Sequence, residues 1–122
     1  MSLSNTVEHE MLLDFLTRHP NLFVAMSTAS PGEAGAGIAE PTAESYIRVS
    51  AGSVTLTDNL ITNDATINFP VASEAWGTLG WVALFDAEEG GVFLGSAEID
   101  PIDCIILTQI SIPAETPLLS LD

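Results

Sequence analysis

The chain has 122 residues, 47% of them hydrophobic, and sets 17 acidic residues against two arginines and no lysine, for a formal net charge of −15. That length bounds one domain with a sizeable core, the apolar content excludes general disorder, and the absent basic footprint excludes nucleic acid as a partner and disfavours anionic membranes. No apolar run reaches the roughly 18–20 residues of a membrane-spanning helix, and Cys104, the single cysteine, excludes an internal disulfide.

The opening stretch MSLSNTVEHEMLL carries no basic residue before its apolar positions. It does not read as a signal peptide, and synthesis in a cytoplasm is expected. Val7, Met11, Leu12, Phe15 and Leu16 recur at helical spacing and predict an amphipathic helix over about 5–18. Asn5, with Glu8 three residues later, is expected to cap it, and Pro20 stops it. Leu22–Thr28 is an apolar run of strand length. The segment 30–41, SPGEAGAGIAEP, is a loop by composition and long enough to contact a partner. SYIRVS (45–50) alternates and predicts a half-buried strand with Ile47 and Val49 inward, continued by Val54 and Leu56.

Asn68–Leu94 is expected to centre the fold. A strand ends at Ile67 and Phe69, the chain turns at Pro70, and Trp76 is an aromatic anchor. A strand over Leu79–Phe85, a Gly90-Gly91 turn and a strand over Val92–Leu94 complete the segment. CIILTQISI (104–112) is rich in β-branched residues and predicts another strand. Pro113 and Pro117 confine the chain beyond them to an edge or turn, and LLSLD offers a last short strand. The sum is mainly β: a jelly-roll-like antiparallel β-sandwich with one short N-terminal helix, in a single domain over residues 1–122. Leu22, Val24, Ile47, Val49, Phe69, Trp76, Val82, Leu84, Phe93 and Ile106 are expected in the core or at subunit contacts.

No catalytic constellation accompanies these elements, so no enzyme activity and no cofactor is expected. His9 and His19 share no helical face at ligand spacing. Asp86, Glu88 and Glu89 cluster beside Gly90-Gly91, where a β-turn explains the glycines better than a calcium loop does. The glycines of the 30–41 loop have neither the strand-to-helix context nor the lysine of a phosphate cradle. Among the 17 acids no pair stands out for glycoside hydrolysis. Trp76 and Trp81 suit either a core or contact role or stacking on a sugar. The acids stand singly, as at Glu33, Glu40, Glu44, Asp58, Asp64 and Glu74, and describe a solvated, self-repelling surface.

An ordered series of motifs resembles a family of small tailed-phage virion proteins, tail-fibre-like in description. The series runs through the helix Val7–Leu16, the strand and Thr-x-x-Pro-Gly loop of Leu22–Gly32, and Tyr46–Arg48. It continues through Asn63–Pro70, the Trp-Gly-Thr turn Trp76–Thr78, the strand Trp81–Ala87 and the hairpin Gly90–Leu94. From Asp103-Cys104 onward the chain departs from that pattern. The resemblance implies a non-enzymatic, oligomeric virion subunit, trimers being common among such proteins, with other virion proteins (the major capsid protein or tail proteins) as partners. Small size and a uniformly acidic surface favour a capsid-surface decoration (cement) subunit. The alternative is a tail or tail-fibre component for host adhesion, a carbohydrate-binding module. The expected contact residues are Met11 and Phe15 on the helix, Pro31 and Ile38 in the loop, and the aromatics Trp76 and Trp81.

Overall fold

A computed structural model describes residues 4–120. The last residues of the LLSLD stretch, 121–122, lie outside that range. Helix α1 spans Asn5–Arg18. Ser4 caps it in place of Asn5: its Oγ accepts the Val7 N–H at 3.2 Å and satisfies one of the donors every helix start leaves unpaired. At the other end His19 N–H reaches Phe15 O at 2.8 Å before Pro20. The buried stripe is Glu8 and Leu12 with Phe15 and Leu16 half-buried beside it, while Val7 and Met11 are 40% and 49% exposed. The helix thus lies rotated by about one position from the face its apolar spacing predicts. The surface it rests on is a β-hairpin over residues 54–63.

The strands are β1 (Phe23–Ser27), β2 (Val49–Ser50), β3 (Val54–Thr57), β4 (Leu60–Asn63), β5 (Ile67–Asn68), β6 (Gly77–Phe85), β7 (Phe93–Cys104), β8 (Ser111–Ile112) and β9 (Pro117–Ser120). They form three antiparallel sheets with orders β2-β1-β6-β7, β3-β4-β9 and β5-β8. The protein is therefore mainly β with one helix among the described residues. The helix packs on the β3–β4 hairpin, where His9 Nδ1 meets Asp58 O at 3.1 Å.

The four-stranded sheet uses both faces. In the β1–β6 register Val24 opposes Leu84 and Met26 opposes Val82, and this face meets the main core of Leu12, Leu22, Ile61, Phe69, Trp76 and Leu79. The intervening pairs, Ala25 with Ala83 and Ser27 with Trp81, look the other way, where Phe85, Phe93 and Ile38 form a smaller cluster. Burial on both faces explains why β1 reads as a continuous apolar run with little alternation. Fully buried Asn63 pins the C-terminal segment to β4. Its Nδ2 donates to Ala65 O and Pro113 O, both at 2.8 Å, and its Oδ1 accepts the Thr116 N–H at 2.8 Å.

Three expectations are corrected. Only Val49–Ser50 of SYIRVS is strand; Val49 packs against the core as expected, but Ile47 is 48% exposed while Tyr46 and Arg48 turn inward. The 104–112 run is not one continuous strand: Cys104 closes β7, Ser111–Ile112 form β8, and the residues between them are not strand. After β7 ends at Cys104 the chain makes a turn, with Leu107 at φ 70°, and Ile106 is 58% exposed and outside the core. The strand expected to begin at Val92 instead runs from Phe93 through twelve residues and past Pro101. Proline is tolerated there because β7 is the edge of its sheet, where one row of backbone donors has no partner strand.

Candidate functional site

Arg48 is the best-connected polar side chain among the described residues. Its Nε and Nη2 donate to the two oxygens of Glu40, each at 2.9 Å, and its Nη1 donates to Ala87 O at 3.0 Å and Gly90 O at 2.8 Å. The guanidinium carbon sits 3.6 Å from the centre of the Phe85 ring. Tyr46 Oη donates to Glu40 Oε1 at 2.7 Å and accepts the Met26 N–H at 3.1 Å. Through Glu40, this pair ties the 30–41 loop, the β6–β7 hairpin and strand β1 together. Burial works to raise the Glu40 pKa, but the bonds from Arg48 and Tyr46 outweigh it and hold the carboxyl below its ordinary value. The Tyr46 phenol is pushed well up, by burial first and then by donation to Glu40. This constellation is saturated with internal bonds, so its work is structural. Sequence reading missed it, although an arginine in a chain with only two cations was a usable signal.

The loop it holds is internally bonded as well. Gly37 N–H reaches Pro31 O at 3.0 Å, Thr28 N–H reaches Ala39 O at 3.0 Å, and Ser27 Oγ accepts the Ala39 N–H at 3.0 Å. Gly35 lies against the Phe93 ring at φ 76°; a Cβ there would fall 2.5 Å from Phe93 Cγ. At the hairpin, Asp86 Oδ1 accepts the Val92 N–H at 2.6 Å and Oδ2 meets His19 Nδ1 at 3.2 Å. Those bonds, the backbone one foremost, lower the Asp86 pKa. Its carboxylate is thus committed to the turn, and among the described residues no three His, Cys, Asp or Glu side chains gather to hold a metal ion. His9 and His19 are drawn to separate partners, Asp58 O and Asp86.

A groove of about 550 Å³ lies between the β6–β7 layer and the segment of β8 and β9. Val82, Leu84, Ile99, Ile102, Ile112, Leu118 and Leu119 line it, with Asp100 its one charged residue among the described residues. It opens beside the free edge of β7. Nearby along the chain, the turn after β7 presents Ile105, Ile106 and Leu107 at 56%, 58% and 77% exposure. Three consecutive exposed aliphatics are unusual on a surface otherwise rich in acids. The turn is not loose: Leu107 N–H donates to Ala72 O at 2.8 Å, and Ala72 N–H to Thr108 O at 2.9 Å.

The residues singled out by sequence scatter over these features. Met11 is exposed on the helix, and Phe15 is half-buried with its ring 5.1 Å from that of His19. Pro31 is buried and Ile38 half-buried under the loop. Trp76 is a core residue at 4% exposure, its Nε1 donating to Ser45 Oγ at 2.9 Å and its ring edge-on to Tyr46 at 5.2 Å. Trp81 alone of the two tryptophans reaches the surface, half-buried in a second groove of about 390 Å³.

The model of one protein family, the podophage GP4 fiber I protein gp80, matches residues 2–108. The chain belongs to that family. It is accordingly a structural protein of a tailed-phage virion, as the motif series implies. The match stops close to where the C-terminal third departs from that series, just past the exposed Ile105–Leu107 turn. No curated protein matches the chain. No helix among the described residues is long and apolar enough to cross a membrane.

Proposed function

We propose that this chain is a non-enzymatic fibre subunit of the tail, held to neighbouring virion proteins by apolar contact. The family match over residues 2–108 carries the reading, because the protein that gives the family its description is a fibre protein. The open apolar groove and the exposed Ile105–Leu107 turn support the mode of attachment: both are the kind of surface that a packed neighbour covers. The saturated Arg48 hub supports a structural role, since its polar groups are spent on each other.

A capsid-surface cement role is the second reading. It is favoured by the small chain and the −15 charge, which suit a solvated outer coat. Immunogold electron microscopy of virions with antibody to this chain separates the two. Gold at the tail is expected; gold spread over the heads would replace the fibre reading with the cement reading, and particles without gold would defeat both. Replacing Ile106, 58% exposed on the turn after β7, by Glu is expected to leave the chain folded and to remove it from particles.

A further inference from the structure

The second groove lies on the outer face of the four-stranded sheet, opposite the main core. Trp81 stands at its centre, directly across the ladder from Glu98 on β7 and from Ser27 on β1. Glu98 and Ser96 share the Trp81 face of β7, two residues apart, and Ser96 opposes Ala83. Phe93 forms an end wall, held edge-on to Phe85 at 5.6 Å and overlaid by Gly35. The far bank is the loop segment of Ser30, Gly32 and Glu33.

The chemistry of this lining is mixed. Trp81 offers a half-buried aromatic surface, and no hydrogen bond within the described residues occupies its indole N–H. Glu33 and Glu98 are exposed acceptors outside every ion pair described. Ser30 and Ser96 each bring a hydroxyl that donates or accepts. A cationic ligand would use the ring and the carboxylates but could accept nothing from the indole N–H or the serines. A sugar uses all of them: its C–H face packs on the ring, and its hydroxyls both donate to carboxylates and accept from N–H and O–H groups. The chain's −15 charge turns away acidic sugars.

We propose that the Trp81 groove binds a neutral saccharide, with a pyranose ring stacked on the indole and its hydroxyls donating to Glu98 and Glu33. The site adjoins the apolar groove along β7, where Gly95, Ser96 and Ala97 line both, but its Trp81, Glu98 and Glu33 belong to this groove, and the proposal holds wherever on the virion the subunit sits. It is preassembled, because the Arg48–Glu40 pair, the Gly35–Phe93 contact and the bonds at Ser27 fix the loop that forms one bank.

The two tryptophans make the test internally controlled. In a proton–nitrogen correlation spectrum the Trp81 indole N–H is the reporter, and Trp76, bonded to Ser45, is the control. Maltohexaose, cellohexaose, laminarihexaose and chitohexaose would be titrated separately into the intact chain. The expected result is a saturable shift of the Trp81 signal with at least one of them, at a dissociation constant of about 1 mM or tighter, while Trp76 stays still. Trp81→Ala is expected to abolish binding, with the unmoved Trp76 signal reporting that the fold survives. Glu98→Gln, at an exposed position, is expected to weaken binding about tenfold. Silence of Trp81 across the four sugars overturns the proposal, as does binding that persists in Trp81→Ala or is unchanged in Glu98→Gln. A response to tetramethylammonium with none to the sugars would reassign the groove to cations.

Discussion

Arg48 shows how much one residue can decide in a chain with two cations. Its fork satisfies both oxygens of Glu40 and two carbonyls of the β6–β7 hairpin, so its loss strands a carboxylate that is mostly shielded from water. Arg48→Ala is expected to cost about 3–5 kcal/mol by urea denaturation, the range for breaking a buried ion pair by removing one partner. Arg48→Lys is expected to recover little, because an ammonium cannot make the planar bidentate contact while also reaching two carbonyls. Glu40 supplies a pH dependence with a definite sign. Burial opposes its ionisation, yet Arg48 and Tyr46 bring its folded pKa below the ordinary value. A depressed pKa contributes stability that is present above the unfolded value and lost as pH falls through the folded one. The stability gap between the native chain and Glu40→Gln should thus be fully open at neutral pH and narrow steadily below about pH 4, measured by denaturation across that range. A gap that stays constant into acid would show that the Glu40 charge contributes nothing.

Among the elements, the turn after β7 is the most informative departure from local sequence logic. Ile105, Ile106 and Leu107 have the composition of a strand, but the chain reverses there because Ala72 supplies a donor and an acceptor that clip the turn shut. Leu107 takes φ 70°, a left-handed conformation that costs a residue with a Cβ roughly 1–2 kcal/mol. With its side chain 77% exposed, little burial offsets that cost within the chain. Leu107→Gly is expected to raise the isolated chain's stability by about 1 kcal/mol in thermal or urea melts, and to weaken its incorporation into particles. Unchanged incorporation would remove the turn from the contact surface. The same contrast explains what the sequence made legible. The helix, β1 and β6 were readable because their apolar periods or runs report burial directly, and Trp76 was readable as an anchor from its setting among them. The inward turn of Tyr46 and Arg48 was not readable: Glu40 is only six and eight residues away, but the other partners, Met26, Ala87 and Gly90, lie 20, 39 and 42 residues off. The apolar groove was equally hidden, because β6, β7, β8 and β9 each contribute only part of its lining. Trp81 was picked out as an aromatic, but its companions Glu33, Ser96 and Glu98 became a set only once the loop and β7 were laid on one face.

Charge governs the molecule as a whole. The two ion pairs made by arginine differ sharply: Arg48–Glu40 is shielded, whereas Arg18–Asp14 on the helix is 72% and 61% exposed. The remaining acids far outnumber the cations in a chain of net charge −15, so the long-range electrostatic balance is repulsive. Salt screens such exposed repulsion over about 10 Å at 0.1 M and screens a shielded pair far less. Raising sodium chloride from about 0.02 M to about 0.5 M is therefore expected to increase the melting temperature by a few degrees, since the attractive pair survives while the repulsion is damped. Repulsion also opposes the approach of any equally acidic copy, whereas apolar contact through the groove is not weakened by salt. Sedimentation over the same salt series should consequently show association rising with ionic strength if the groove or the Ile105–Leu107 turn meets a second copy. Association that falls with salt would point to contacts made by charge, and so to a partner that brings the basic residues this chain lacks.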